Sequence, residues 1–214
     1  MQATDRVHFA IVVYDGVEPI DIGATYGVLS MARRVLPGIA MTLVAADPGP
    51  VVLAGGMRVI AERGFADGGG YDAVIVCGGP GWPRQAEDPR MLAFLREAEG
   101  VMASACTGGM ILAAAGRLDG KRATTRRLAV GAEAVAPLRL LGERHPQVRT
   151  AEARLVDEGA VVTGGGVTLA IDLTLHLVER FYGADAAAEV TRIVEYAAAR
   201  RANEAAFAAS AAAE

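Results

Sequence analysis

Short, wholly apolar segments that run into glycine-rich turns constrain the fold of this 214-residue chain most strongly. The clearest are VHFAIVVY at 7–14, YDAVIVC at 71–77 and VMASA at 101–105. Apolar runs of this length, rich in valine and isoleucine, are typical of strands that are buried on both faces of a parallel sheet. Segments with a helical pattern separate them along the chain. We therefore predict an α/β fold with a mostly parallel sheet that helices cover on both faces.

The rest of the chain predicts one domain over 1–200 and an alanine-rich tail over 201–214 that frays towards its end. Asp88 and Pro89 suit the start of a helix, and Gly116 suits the end of another. Further strands are predicted at 41–46, 122–125, 149–155 and 160–163, a hairpin at 51–65, and helices at 19–36, 88–98, 107–116, 128–141, 168–182 and 185–200.

Composition narrows the partners and the compartment. The formal net charge of −4 provides no overall positive field to attract nucleic acid or an anionic membrane, so small molecules are the expected partners. Two cysteines form neither a disulfide framework nor a paired metal site, and we expect no metal. No export signal is evident, and no apolar stretch reaches the ~18 residues that cross a bilayer. We expect a cytoplasmic protein.

Cys106 is the strongest candidate for chemistry. It lies between a predicted strand and a predicted helix, where a helix N-terminus lowers the pKa of a thiol and favours the nucleophilic thiolate. The N–H of Thr107, and donors from the loop Gly78, Gly79, Pro80 and Gly81, would complete an oxyanion pocket. The alternative is that Cys106 is a small buried hydrophobic residue, which is the interpretation we favour for Cys77.

A thiol nucleophile needs a proton carrier, and no histidine is a persuasive one. His8 opens a strand, His145 lies in a loop, and His176 lies on an apolar helix face. Asp21 follows the first strand, at the sheet edge where Cys106 is expected; it either carries protons or stabilises a helix N-terminus, and Glu18 is its neighbour. Arg126 and Arg127 could bind an anion, but two adjacent arginines more often belong to a solvent-exposed surface.

Phosphate, dinucleotide and zinc-protease motifs are missing: the sequence contains no GxxxxGK[ST], no GxGxxG after a strand and no HExxH. The order of the remaining motifs resembles the ThiJ/PfpI branch of the class I glutamine amidotransferase-like superfamily, and within it the isocyanide hydratases. The resemblance spans nearly the whole chain and rests on PIDIGATYGVL (19–29), DAVIVCGGPG (72–81), SACTGGMILAAAG (104–116), GKRATT (120–125) and VVTGGGVTLAIDLTLHLVE (161–179).

This resemblance implies a flavodoxin-like three-layer sandwich with the cysteine at a strand-to-helix elbow. It also implies a homodimer, a small electrophilic substrate and no cofactor. Cys106 and Asp21 match the active-site pair of the hydratase group, which forms an N-substituted formamide from an isocyanide. Relatives often continue ATT with His-Trp, whereas this chain has Arg126 and Arg127, so peptidase and glutaminase activities are not expected.

Two alternatives remain open alongside the hydratase. One is a sensor of a ligand or of redox state that has the same fold and no turnover. The other is a glyoxalase-like hydratase of small α-oxoaldehydes. Similar domains form the sensory half of AraC-type regulators, but only the alanine-rich tail follows Glu195, so we expect no DNA-binding domain.

Overall fold

A seven-stranded sheet forms the centre of the computed structural model, which describes residues 6–211 and the side chains of residues 6–208. The strands are β1 (Val7–Val12), β2 (Ile39–Ala45), β3 (Gly49–Val52), β4 (Arg58–Ala61), β5 (Arg63–Gly64), β6 (Ala73–Val76), β7 (Val101–Ser104), β8 (Arg122–Ala123), β9 (Arg149–Thr150), β10 (Leu155–Asp157) and β11 (Val161–Gly164). The strand order in the seven-stranded sheet is β10-β11-β7-β6-β1-β2-β5. Within this sheet, only the pairing of β10 with β11 is antiparallel. The carboxyl ends of β1, β6, β7 and β11 therefore meet at one edge.

Helices lie on both sides of this sheet. They are α1 (Pro19–Ile22), α2 (Val28–Ala32), α3 (Trp82–Gln85), α4 (Pro89–Glu97), α5 (Gly108–Ala114), α6 (Pro137–Arg144), α7 (Leu169–Tyr182), α8 (Ala184–Ile193) and α9 (Ala197–Ala211). In one group α2, α7 and α8 contact each other, and in the other α3, α4 and α6 contact α5. The result is the predicted three-layer α/β sandwich.

The apolar runs form strands because both faces of the sheet are covered. Every residue of β6 is buried, and Phe9, Ile11 and Met102 of neighbouring strands are fully buried. Burial of one such side chain contributes roughly 1.5–3 kcal/mol, which favours the central strands over any exposed arrangement. The predicted hairpin is also present, as the antiparallel pair β3 and β4.

Two helix predictions were wrong in extent. The helix expected over 128–141 begins only at Pro137, because the residue before a proline is restricted to extended backbone, and Ala136 has φ −62° and ψ 138°. Residues 127–136 form a loop instead, which we call the 127–136 loop. The helix expected over 185–200 is two helices, α8 and α9, separated near Glu195, whose φ is +54°.

Two further features went beyond the sequence analysis. The first predicted helix contains a π-helical turn, Gly23–Gly27, between α1 and α2. The tail assigned to 201–214 continues α9 as far as Ala211, and its last three residues lie outside the described part of the chain. Within residues 6–211 we find no helix that is both long and apolar enough to span a bilayer.

Candidate active site

Cys106 lies in a tight turn between β7 and α5. Its φ of +51° is in the left-handed region, which costs a non-glycine residue about 1–2 kcal/mol. The turn is held because the N–H of Cys106 donates to the carbonyl of Gly165 at 3.1 Å and the hydroxyl of Thr125 donates to the carbonyl of Cys106 at 2.6 Å. Gly108 allows the close approach to β6, since a Cβ there would lie 2.0 Å from the carbonyl oxygen of Val76.

The loop after β6 packs directly against this turn. A Cβ on Gly78 would lie 2.5 Å from the nitrogen of Thr107. The N–H of Gly78 donates to Oδ2 of Asp21 at 2.7 Å, and the N–H of Gly79 donates to the hydroxyl of Thr107 at 2.9 Å. The N–H of Gly81 donates to the carbonyl of Gly16 at 3.1 Å, while Pro80 has no N–H. The expectation that this loop offers free donors is therefore not met, because its donors are used within the protein.

The donors that do face the thiol come from elsewhere. The backbone N–H groups of Thr107 and Val167 and the guanidinium of Arg126 lie near the sulfur of Cys106, and all three favour its thiolate form. Val167 follows the glycine run after β11 and has a φ of +52°. Three glycines in a row indicate close backbone approach, which was the only sequence signal for this part of the site.

The predicted lowering of the thiol pKa was wrong. Burial, followed by the negative charge of Asp21, raises the pKa of Cys106 to about 11, and the nearby N–H groups of Val167 and Thr107 only partly oppose this. The thiol is 4% exposed, and α5 has only seven residues behind it. The removal of water from around the sulfur therefore raises the pKa of the thiol by more than the helix N-terminus lowers it. The resting group is a protonated thiol at neutral pH.

Asp21 lies beneath the same loop with no exposed surface. Burial raises the pKa of its carboxyl group to about 7, although the hydrogen bond from Gly78 opposes the shift. Its second oxygen, Oδ1, has no hydrogen-bond partner. Asp21 and Cys106 approach Gly78 from two sides, since a Cβ on that glycine would lie 2.9 Å from the Cβ of Cys106. The site thus pairs a buried thiol with a carboxyl group that can gain or lose a proton near neutral pH.

The sequence analysis gave Arg126 little weight, but in the structure it lines the cavity beside Cys106. Its guanidinium group is 2.5 Å from Oε1 of Glu133 and also donates to the carbonyl of Leu128. Glu133 in turn accepts from the N–H of Val130 at 2.9 Å, so it closes the 127–136 loop over the arginine. The sequence analysis missed Glu133, because it predicted a helix where this loop lies.

A cavity of about 480 Å³ opens above the sulfur, within the range of roughly 300–1,000 Å³ that is usual for small-molecule sites. We call it the thiol cavity. It is lined by Glu18, Ile20, Gly79, Pro80, Cys106, Thr107, Arg126, Val130, Ala132, Glu133 and Val167. Of the predicted site residues, Cys106, Thr107, Gly79 and Pro80 therefore border it, whereas Asp21 lies behind them.

The other residues considered in the sequence lie elsewhere. Cys77 is fully buried at the end of β6, and burial raises the pKa of its thiol far above the ordinary value. His8 contacts Thr42 and His176 contacts Asp157, each at 2.8 Å, and neither borders the thiol cavity. Among the described residues, no group of three or more histidine, cysteine, aspartate or glutamate side chains is arranged to bind a metal ion.

Comparison with known proteins agrees with this architecture. The isonitrile hydratase of Pseudomonas putida is 31% identical over 199 residues, which are 89% of this chain and 79% of that protein. The HTH-type transcriptional regulator CdhR of Pseudomonas aeruginosa is 31% identical over 152 residues, which are 70% of this chain but only 43% of the regulator.

Solved structures and family models give the same assignment. The crystal structure of a ThiJ/PfpI family protein from Pseudomonas syringae superposes with a TM-score of 0.77 at 25% identity, covering 90% of this chain and 76% of that one. The sequence model of the DJ-1/PfpI family matches residues 7–180. This chain belongs to the DJ-1/PfpI family.

Proposed function

We propose that this protein is a cysteine-dependent hydratase that converts an isocyanide into an N-substituted formamide. The observation that carries the proposal is the pairing of Cys106, at the base of the thiol cavity, with Asp21, a buried carboxyl group with a pKa of about 7. The similarity to an isonitrile hydratase over 89% of the chain supports the same reaction class.

In the proposed first step, the carboxylate form of Asp21 accepts the thiol proton of Cys106, and the sulfur bonds to the terminal carbon of the isocyanide. Asp21, now in its acid form, returns this proton to the same carbon and becomes a carboxylate again. The product is a thioimidate with a C–S bond and a C=N bond. The N–H groups of Thr107 and Val167 and the guanidinium of Arg126 stabilise the thiolate while it forms.

In the second step water adds to the thioimidate carbon. Asp21 accepts one proton from the water and passes it to the nitrogen. The C–S bond then breaks, and the remaining hydroxyl proton goes to the leaving sulfur, which releases R–NH–CHO and regenerates the thiol. Each turnover consumes one isocyanide and one water. No metal or organic cofactor takes part in these steps.

The test follows formamide production by mass spectrometry with a simple aryl isocyanide. We expect turnover by the wild type and none by Cys106→Ala. The matched control is Cys77→Ala, which changes the other buried cysteine outside the thiol cavity and should keep its activity. Full activity in Cys106→Ala would overturn the mechanism, and lactate formation from methylglyoxal with no formamide would favour the glyoxalase-like alternative.

One observation favours a second candidate, a ligand sensor without turnover. The pKa of Cys106 is raised to about 11, so a resting thiolate is scarce, and the match to a transcriptional regulator covers 70% of this chain. A sensor would bind its metabolite equally well as wild type and as Cys106→Ala, and neither would form product. Calorimetric titration of both proteins separates the two functions.

We also propose a cytoplasmic homodimer, in line with the family resemblance. Light scattering coupled to gel filtration checks the dimer, with about twice the 22.1 kDa chain mass expected. A monomer at micromolar concentration would contradict it.

A further inference from the structure

A second cavity of about 290 Å³ adjoins the thiol cavity. Its lining is Arg126, Arg127, Leu128, Val130, Gly166, Val167, Thr168, Leu169, Asn203 and Phe207. Arg126, Val130 and Val167 line both cavities, so the two spaces meet at these three residues, which we call the partition.

The far wall of this second cavity comes from α9, which lies beyond the residues that the DJ-1/PfpI family model matches. Asn203 and Phe207 are four residues apart and share one helix face. Among residues 201–208 they are the only two that are not exposed. The alanine-rich helix thus presents one amide and one aromatic ring towards the partition.

A buried polar cluster, which we call the anchor, holds α9 in place. It centres on Asp172 of α7, which is 1% exposed. Arg154, Tyr196 and Asn203 each donate to its carboxylate, at 2.8, 2.9 and 2.9 Å. Asn203 is therefore fixed from one side while Phe207 follows one turn later. These hydrogen bonds hold this part of α9 against α7.

The chemistry of the second cavity favours a neutral, apolar group. Leu128, Val130, Leu169 and Phe207 supply apolar surface. Both guanidinium groups already have carboxylate partners, Arg126 with Glu133 and Arg127 with Glu152, each in a direct ion pair. Arg127 also lies over the ring of Phe207, with 5.2 Å between its guanidinium carbon and the ring centroid. An anionic group would have to displace one of these carboxylates.

We propose that this second cavity is the subsite for the substrate's substituent: a neutral alkyl chain or aromatic ring of a molecule whose reactive atom meets Cys106. The substrate class rests on the proposed hydratase function, whereas the subsite itself does not depend on turnover. Phe207 is a specificity-determining residue because it forms the end wall, and Val130 lies where the two cavities meet.

The test uses maleimides, which add to a thiol without any hydratase chemistry. Intact-protein mass spectrometry gives the rates at which N-methylmaleimide and N-hexylmaleimide add to Cys106, with Cys106→Ser as the background. We expect the hexyl reagent to react faster in the wild type. In Phe207→Ala the hexyl-to-methyl rate ratio should fall about tenfold, the discrimination expected from losing part of an apolar pocket.

Phe94→Ala is the matched control, because Phe94 is also a half-buried phenylalanine that borders a different cavity. Phe207→Leu, a smaller change, should give an intermediate ratio and guards against misfolding of the alanine variant. An unchanged ratio in both Phe207 variants, an equal fall in Phe94→Ala, or no reaction of Cys106 with either reagent would overturn the subsite.

Hydration of hexyl and methyl isocyanides, measured on the same proteins, separates this proposal from the proposed function. A fall in the maleimide ratio without formamide from any protein supports the subsite and contradicts the hydratase. Formamide from the wild type, with a maleimide ratio that does not respond to Phe207, supports the hydratase and overturns the subsite.

Discussion

Among residues 6–208, two aspartates are almost completely buried, and their surroundings are opposite. Asp172 accepts hydrogen bonds from Arg154, Tyr196 and Asn203, so both of its oxygens have partners. Asp21 accepts one hydrogen bond, from Gly78, and its Oδ1 has no partner. A buried carboxylate normally requires a compensating charge or several donors. Asp172 meets that requirement, whereas Asp21 is left with a pKa of about 7.

The difference separates a structural carboxylate from a candidate catalytic one. The donors of Asp172 come from the loop before β10 and from the chain around α9, so its charge joins distant segments. Asp21 instead lies next to a cavity and a thiol, where a group that exchanges a proton near pH 7 has a chemical use. Substitutions at the two aspartates should therefore have different effects on activity and on stability.

The largest expected effect is on turnover. Asp21→Asn keeps the shape of the side chain but removes the proton that the proposed mechanism moves twice. We expect kcat/KM for isocyanide hydration to fall by about 10²–10⁴-fold, the usual contribution of general acid–base catalysis. Asp172→Asn should lose far less activity per folded molecule. Equal losses in the two variants, measured at a temperature where both are folded, would contradict the division of roles.

The next effect is the pH dependence of stability. Asp21 has a pKa of about 7 in the folded chain against an ordinary value of 3.8, so the folded state holds the extra proton between these values. Stability from this group is therefore complete below about pH 4 and is lost as the pH rises to 7, by about 4 kcal/mol at most. Asparagine has no such proton.

Urea unfolding of wild type and Asp21→Asn between pH 4 and pH 8 measures this difference directly. The free energy of unfolding of the variant should rise relative to that of the wild type as the pH increases. A difference between the two proteins that stays constant across this range would show that Asp21 titrates normally.

Removing the carboxylate of Asp172, at the centre of the anchor, should lower the stability of the protein. Asp172→Asn removes the 2.8 Å ion pair of Arg154 and leaves its 3.6 Å ion pair with Glu204. Removing one partner of a buried ion pair costs about 3 kcal/mol when the other is partly exposed, as Arg154 is. We expect a lower urea midpoint and faster proteolysis of α9. Unchanged stability would mean that α9 is held mainly by other contacts.

The contrast also shows which parts of the site can be predicted from sequence. The strands, the position of Cys106 and the sheet edge of Asp21 follow from local apolar runs and turn residues, which act over a few positions. The N–H groups that face the thiol could not be predicted in the same way. The pattern GGPG correctly predicts a loop. Two of its N–H groups are already used, however, because they donate to Asp21 and Thr107, which are both distant in sequence.

The same reason explains the residues that the sequence analysis missed. Glu133 contributes to the site only because Pro137 prevents a helix upstream, so the 127–136 loop can place its carboxylate against Arg126. Val167 reaches the sulfur of Cys106 across the sheet edge, from the end of a neighbouring strand. Contacts of this kind depend on the packing of separate elements, which apolar periodicity does not encode.

The smallest expected effect concerns the guanidinium of Arg126, which interacts with both Cys106 and Glu133. Its charge lowers the pKa of Cys106, and its ion pair with Glu133 limits that effect. Arg126→Gln should therefore slow alkylation of Cys106 by iodoacetamide at pH 8, and Glu133→Gln should speed it, each by roughly three- to tenfold. The exposed pair Arg139 and Glu143 on α6 provides matched controls, because neither residue borders the thiol cavity. Changes in the same direction at both members of the first pair would indicate altered access to the thiol. Opposite changes would mean that the positive charge of Arg126 opposes Asp21, whose negative charge raises the pKa of the thiol.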